Sequence, residues 1–408
     1  MKGFTTNAIH TPLSHKDPHG TLRSPVYDNV AFEFETAKDI QMAFEGKRPG
    51  HSYSRISNPT VEDFENRVKR VSGANGVLAV SSGMAAISNL VLTLLKSGKN
   101  VVTSRFLFGN TYSLFERTLK PWGLEVRYVD FEKPKTLDES IDENTGMVFL
   151  ETITNPQLQV VDIGAIAEIA HRRGVPVVAD TTVTSLYLFD SKKFGVDVEV
   201  LSSTKVISGG ATSVGGLIID NGIFDWKRNS KLADWAKRYG PHALILYLRR
   251  EVYRNIGACM APHHAYLQSL GLETVSLRVE RSAANALAIA KFLETHSKIS
   301  RVNYPGLKSS PWHENAKKLF PRGFGGILCI ELESKEKCFE FMNKLNVIRR
   351  ATNINDNKTL VIHPASTIFC EYTPEERAKM GVPDTLIRLS VGIEDVEDLI
   401  DDIEKGLS

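Results

Sequence analysis

At 408 residues the chain is too long for one growing hydrophobic core, so two domains of unequal size are expected. Its 42% hydrophobic and 24% charged residues place it with soluble globular proteins and exclude the disordered and fibrous classes. The 50 Lys and Arg against 48 Asp and Glu leave a formal charge of +2, which gives no reason to invoke nucleic acid or an anionic membrane.

Residues 1–60 carry little helical or strand periodicity and many turn formers, among them Pro12, Pro18, Gly20, Pro25, Pro49 and Gly50. No apolar run of signal-peptide length opens the sequence and no window approaches a membrane span, so a cytoplasmic location is expected. Val26, Tyr27, Phe32, Phe34 and Phe44 argue that this segment is an arm lying over another surface. From Thr60 the pattern becomes regular. VEDFENRVKRVSG predicts a helix that starts after Pro59 and stops at Gly73. NGVLAV predicts a strand, Gly83 to Lys96 an almost wholly apolar helix, NVVTS a strand and GNTYSLFERTLKPWG a helix. LEVRYVD and MVFLET follow as strands, IGAIAEIAHRRG as a helix, and VPVVAD, VEVLSST and VGGLIID as strands. Helices alternating with nearly all-apolar strands predict an α/β fold with a mostly parallel sheet covered on both faces.

PHALILYLRREVYRNIG and LETVSLRVERSAANALAIAKFLETH are long helical stretches. The tail alternates strands (GGILCIELE, TLIRLSVG) with helices (KEKCFEFMNKL, DVEDLIDDIEKGL), which predicts a smaller C-terminal α/β domain. The expected organisation is an arm over 1–60, a large domain over 61–258 and a C-terminal domain over 259–408. Cys259, Cys329, Cys338 and Cys370 show no CxxC pairing, so neither a structural disulfide nor a metal site is expected from them.

Ligands in such a sheet bind beyond the carboxyl ends of the strands. Four polar segments fall there. Ser81-Ser82-Gly83-Met84 opens a helix, where free N–H groups suit a phosphate, although a plain helix cap would read the same. VPVVAD ends in Asp180, which could cap a helix or pair with a heterocycle nitrogen. VEVLSST ends in Ser202, Ser203 and Thr204, followed at once by Lys205. A lysine directly after an apolar strand starts out partly desolvated, which lowers its pKa and makes the amine nucleophilic. Glu151 to Asn155 ends the remaining strand. A strand-end aspartate and a strand-end lysine are the pairing that pyridoxal phosphate needs. The segment after the first strand lacks G-x-G-x-x-G, which counts against a nicotinamide cofactor.

YSRISNPT (53–60), SSGMAA (81–86), ETITNPQLQVVDI (151–163), VVADTT (177–182), SSTKVISGG (202–210), LETVSLRVERSAANAL (272–287), HPAS (363–366) and LIRLSVGIE (386–394) occur in this order along the chain. In them it resembles the cystathionine γ-synthase-like family of pyridoxal-phosphate enzymes of cysteine and methionine metabolism. The resemblance implies a fold-type-I, aspartate aminotransferase-like architecture. It implies that Lys205 is the Schiff-base lysine, that Asp180 faces the pyridine nitrogen, and that Gly83, Met84, Ser202 and Thr204 hold the phosphate. Tyr53 and Arg55 match a pair that reaches the phosphate of a neighbouring subunit, which implies shared sites in a homotetramer built of two dimers. Arg388 matches the arginine that grips the substrate carboxylate, with Asn155 and Ser366 as its helpers.

Two positions depart from the family pattern. Phe108 stands where a tyrosine usually stacks on the cofactor ring, so stacking survives and the phenol does not. Nearby Tyr112 offers a hydroxyl, though on a helix it need not face the ring. The run after Lys205 reads SGGATSVGG, without the histidine and aspartate common there, which throws proton transfer onto Lys205. The Phe-Gly-Asn-Thr variant most resembles the O-acetylhomoserine sulfhydrylase branch, whose γ-replacement makes homocysteine for methionine biosynthesis. Cystathionine γ-synthase, methionine γ-lyase and a catalytically idle binding protein are the alternatives.

Overall fold

The computed structural model describes residues 3–14 and 17–408. Its larger sheet has seven strands: β1 (Gly76–Val80), β2 (Asn100–Thr103), β3 (Glu125–Tyr128), β4 (Thr145–Glu151), β5 (Val177–Asp180), β6 (Val198–Leu201) and β7 (Gly216–Asp220). Their order across the sheet is β1-β7-β6-β5-β4-β2-β3. β7 runs antiparallel to both β1 and β6, and the other pairings are parallel. The reversal has a local cause. Residues 202–215, between β6 and β7, form only the 3₁₀ turn Val206–Ser208 and no crossover helix, so the chain doubles back. β2, β6 and β7 are buried along their whole lengths, as strands covered on both faces must be.

The helices begin and end where local chemistry dictates. Pro59–Ser72 has Pro59 at its first position, the Asn58 side chain accepting from Thr60 N–H at 3.0 Å, and Gly73 at φ 65° just past its end. Gly83–Leu94 is capped by the Ser82 hydroxyl, which accepts from Ala85 N–H at 3.0 Å. The segment expected as one helix over 109–123 is instead α-helical over Gly109–Ser113, π-helical over Leu114–Leu119 and 3₁₀ over Lys120–Trp122, where Pro121 and Gly123 close it. A second π-helical turn, Leu248–Tyr253, interrupts the stretch after His242.

The smaller sheet holds β8 (Arg301–Asn303), β9 (Ile327–Glu331), β10 (Arg349–Arg350), β11 (Leu360–Ile362) and β12 (Leu386–Ser390), ordered β10-β11-β12-β9-β8. Helix Val275–Glu294 packs on β8, β9 and helix Val396–Leu407 around a second core that contains Leu328, Ile330, Phe341, Ile387 and Leu389. Helix Pro262–Glu273 packs instead on Pro59–Ser72 and on the turn Val206–Ser208. Gly271 makes that approach possible, since a Cβ there would collide with the Ile207 carbonyl. Buried Arg278 locks the same turn by donating to the carbonyls of Val206 and Gly271 at 2.5 Å each. The backbone following Lys205 is therefore held from two sides.

The arm contains two helices that its sequence pattern conceals, Phe4–Ile9 and Ala37–Phe44. The first lies against Pro59–Ser72; the second buries none of its residues. Leu22 is 96% exposed and Phe44 68%, with Val26, Tyr27, Val30 and Tyr53 also exposed.

Candidate active site

Where the carboxyl ends of β4, β5 and β6 meet the smaller sheet, a cavity of about 280 Å³ opens. Register brings its members together. Glu151 and Asp180 are the last residues of β4 and β5 and lie directly opposite each other. Lys205 follows β6 after a tight turn in which its N–H bonds to Ser202 O at 3.2 Å. Arg388 enters from β12 across the interface between the two layers.

Lys205 Nζ donates to Asn353 Oδ1 at 2.7 Å. Burial pulls its pKa below the ordinary lysine value; the positive charge of Arg388 acts the same way and Asp356 opposes both. Arg388 is 2% exposed, with Nη1 donating to Asn155 Oδ1 at 3.0 Å and Nη2 to the carbonyls of Asn353 (3.3 Å) and Thr352 (3.4 Å). Its Nε has no partner, and burial takes its pKa down to about 10. A buried guanidinium that faces neutral oxygens and keeps a donor free is arranged to receive an anion.

Asp180 accepts from Thr182 N–H at 2.8 Å, while burial raises its pKa against that bond. Glu151 accepts from Phe108 N–H at 2.6 Å and from Asn155 N–H at 3.2 Å; burial, then the charge of Asp180, push its pKa up. At the other end of the cavity Gly83 and Met84 open their helix, so their N–H groups have no intrahelical acceptor. A Cβ on Gly83 would stand 2.7 Å from Ser202 Cβ, so glycine alone lets β6 come this close.

These features fit pyridoxal phosphate. A helix start with two free N–H groups and the Ser202 hydroxyl beside it suits the phosphate, a buried carboxylate suits the protonated ring nitrogen, and a partly desolvated amine suits the aldehyde. Phe108 lines the same cavity as a ring without a polar atom.

Of the residues expected from sequence, Gly83, Met84, Phe108, Asn155, Asp180, Ser202, Thr204, Lys205 and Arg388 line this one cavity. Thr204 does so with its hydroxyl committed, accepting from Gly215 N–H at 2.9 Å and donating to Gly215 O at 3.1 Å. Ser366 stands outside the cavity: a 3₁₀ turn over Pro364–Ser366 turns its hydroxyl onto His363 Nδ1 at 2.8 Å. Tyr53 and Arg55 also stand outside it, exposed on the arm, with Arg55 donating to the Arg254 carbonyl and packed against the Tyr53 ring. Tyr112 points away, stacked on Tyr128 at 5.5 Å and edge-on to Tyr372 at 5.6 Å. Glu151 enters the sequence reading only as the first residue of the segment that ends β4, and Thr111, Thr352 and Asn353 are not singled out there. Glu151 alone had a legible signal, as a carboxylate ending a strand in register with Asp180.

An O-acetyl-L-homoserine sulfhydrylase of Corynebacterium glutamicum is 36% identical to this chain over 423 residues, covering 100% of it and 97% of the relative. A Campylobacter jejuni structure assigned as an O-acetylhomoserine (thiol)-lyase superposes with a TM-score of 0.95 at 34% identity over 100% of both chains, and holds a pyridoxyl-lysine monophosphate at its position 205. The O-acetylhomoserine sulfhydrylase of Wolinella succinogenes is 49% identical, with a TM-score of 0.79 over 87% of this chain and 99% of its own. The model of the Cys/Met metabolism PLP-dependent enzymes matches residues 5–408. With that match over nearly its whole length, the chain belongs to the Cys/Met metabolism PLP-dependent enzyme family, and its cofactor is pyridoxal phosphate.

Proposed function

We propose that this enzyme catalyses γ-replacement on O-acetyl-L-homoserine, joining it with sulfide to give L-homocysteine and acetate in methionine biosynthesis. The observation that carries the reading is the cavity wall. Among the described residues with which one chain lines it there is neither tyrosine nor histidine, and Phe108 offers only an apolar ring. A leaving group that departs without an acid suits such a site, and acetate is one. A thiolate leaving carbon would gain more from a proton donor.

The lining residues then divide the work. Arg388, steadied by Asn155, takes the substrate carboxylate at the cavity wall. Bound on Lys205, pyridoxal phosphate supplies the electron sink that makes the substrate α- and β-protons removable. With the cofactor bound, Asp180 would hold a proton at the ring nitrogen and Phe108 would stack on the ring. Gly83, Met84 and Ser202 hold the phosphate, while Thr204 braces the glycine run through Gly215. Lys205 Nζ, with its pKa lowered by burial, removes the α-proton and later returns one. A β-proton also leaves before acetate departs from the γ-carbon; sulfide adds at the same carbon, and a proton returns to the β-carbon as one does to the α-carbon.

The exposed apolar residues of the arm, Leu22 and Phe44 foremost, support assembly into a homotetramer whose Tyr53 and Arg55 complete a neighbour's phosphate site. No helix among the described residues is long and apolar enough to cross a membrane, and we place the enzyme in the cytoplasm.

Product analysis tests the reaction, with O-acetylhomoserine offered sulfide in one tube and cysteine in another. Homocysteine from sulfide with little cystathionine from cysteine is expected. Cystathionine as main product would make it a synthase, and keto acid with ammonia in both tubes a lyase.

A further inference from the structure

Glu151 is 7% exposed, has no cation paired with it among the described residues, and sits in register beside a second buried carboxylate, Asp180. Such a placement costs stability, so its retention calls for a positional reason. Each of its two oxygens takes a different backbone donor. Oε1 accepts from Phe108 N–H at 2.6 Å, in the loop after β2, and Oε2 accepts from Asn155 N–H at 3.2 Å, in the loop after β4. Both recipients line the cavity. Phe108 is the aromatic ring of the cavity lining, and Asn155 Oδ1 accepts from Arg388 Nη1 at 3.0 Å.

We propose that Glu151 is a positioning residue that fixes the spacing between the ring-stacking wall and the substrate-carboxylate anchor through these two backbone bonds. A carboxylate is the group suited to this role, because it offers acceptors to both donors, whereas an amide presents a donor to one of them.

The inference rests on the amino-acid substrate class of the proposed function but not on its γ-chemistry, and the test uses probes without a γ-leaving group. Wild type, Glu151→Gln and Glu151→Asp, each loaded with cofactor, are titrated with L-alanine and with ethylamine while the cofactor absorbance is followed. Ethylamine is alanine without its carboxylate, so the ratio of the two dissociation constants isolates the anchor. Both variants are expected to keep the cofactor, and E151Q to weaken alanine by about tenfold or more while leaving ethylamine within about twofold. Equal weakening of both probes would reduce Glu151 to a fold-stabilising group and overturn the proposal, as would wild-type binding of both. Because neither probe reacts at a γ-carbon, an enzyme inactive on O-acetylhomoserine would refute the reaction without altering this result.

Discussion

Lys205 Nζ reaches Asn353 Oδ1 at 2.7 Å, a contact between residues 148 positions apart that ties the larger sheet's lysine to a loop of the smaller sheet's side. Asn353 is itself held, donating from Nδ2 to Asp356 Oδ2 at 3.1 Å, and its carbonyl accepts from Arg388. Lys205 and Arg388 thus share one support. Replacing Asn353 by Ala is expected to lower kcat by about tenfold, because the amine loses its fixed direction. Steady-state kinetics with wild-type KM and kcat would remove Asn353 from the site.

Lys205→Ala should abolish the visible cofactor band and cut turnover by at least about 10³-fold. Far-ultraviolet circular dichroism should stay unchanged, since the backbone after residue 205 is held by Arg278 and Gly271 rather than by the amine. An unaltered spectrum would refute the assignment of this lysine.

The parts of this site that were legible in sequence are those that strand geometry places by itself. Asp180 ends β5 and Lys205 follows β6, and neighbouring parallel strands carry their end residues to one edge whatever the rest of the fold does. Asn353 was illegible because its meeting with Lys205 depends on how two layers dock, which no local pattern records. Ser366 was named from its motif, yet the turn it sits in spends its hydroxyl on His363. Tyr112 follows Phe108 by one helical turn, but which way it faces is decided by Tyr128 and Tyr372. The antiparallel β7 was hidden for a similar reason: its apolar run reads the same in either direction.

Arg388→Lys should raise KM for O-acetylhomoserine by about 10²-fold with a smaller fall in kcat, because an ammonium cannot reproduce the planar fork held by Asn155 and the 352–353 carbonyls. A pH signature accompanies it. Burial brings Arg388 down to about 10, so it stays charged through neutrality and begins to lose its proton toward that value. Wild-type KM should therefore hold steady around pH 7–8 and climb as pH approaches about 10. A KM indifferent to both changes would place the substrate carboxylate elsewhere.

Phe108→Tyr restores a hydroxyl at the cavity wall, where the phenylalanine ring presents none. If the missing acid is what suits this site to acetate, the variant should gain cystathionine cleavage by about tenfold or more while O-acetylhomoserine turnover changes little. Parallel assays of the two substrates decide it. No gain on cystathionine would mean that the identity of residue 108 does not select the leaving group.

Glu199, away from the cavity on β6, makes stability itself pH-dependent. It is 2% exposed, and burial raises its pKa from 4.5 to about 7, even though the Ser191 hydroxyl donates to it. The folded chain therefore keeps a proton that the unfolded chain releases near pH 4.5. Between those two values the native state binds more protons, so stability falls as pH rises, by up to about 3 kcal/mol for this group. Asp220, raised to about 6 by burial, contributes with the same sign over a lower window. Glu199→Gln keeps an oxygen for Ser191 and carries no charge, so it removes this group's part of the slope. The melting temperature of the wild-type holoenzyme should drop from pH 5 to pH 8 by more than that of E199Q, with the two closest at the acid end. Parallel curves would mean that Glu199 ionises in the folded chain at its ordinary pH, and that the buried end of β6 admits water.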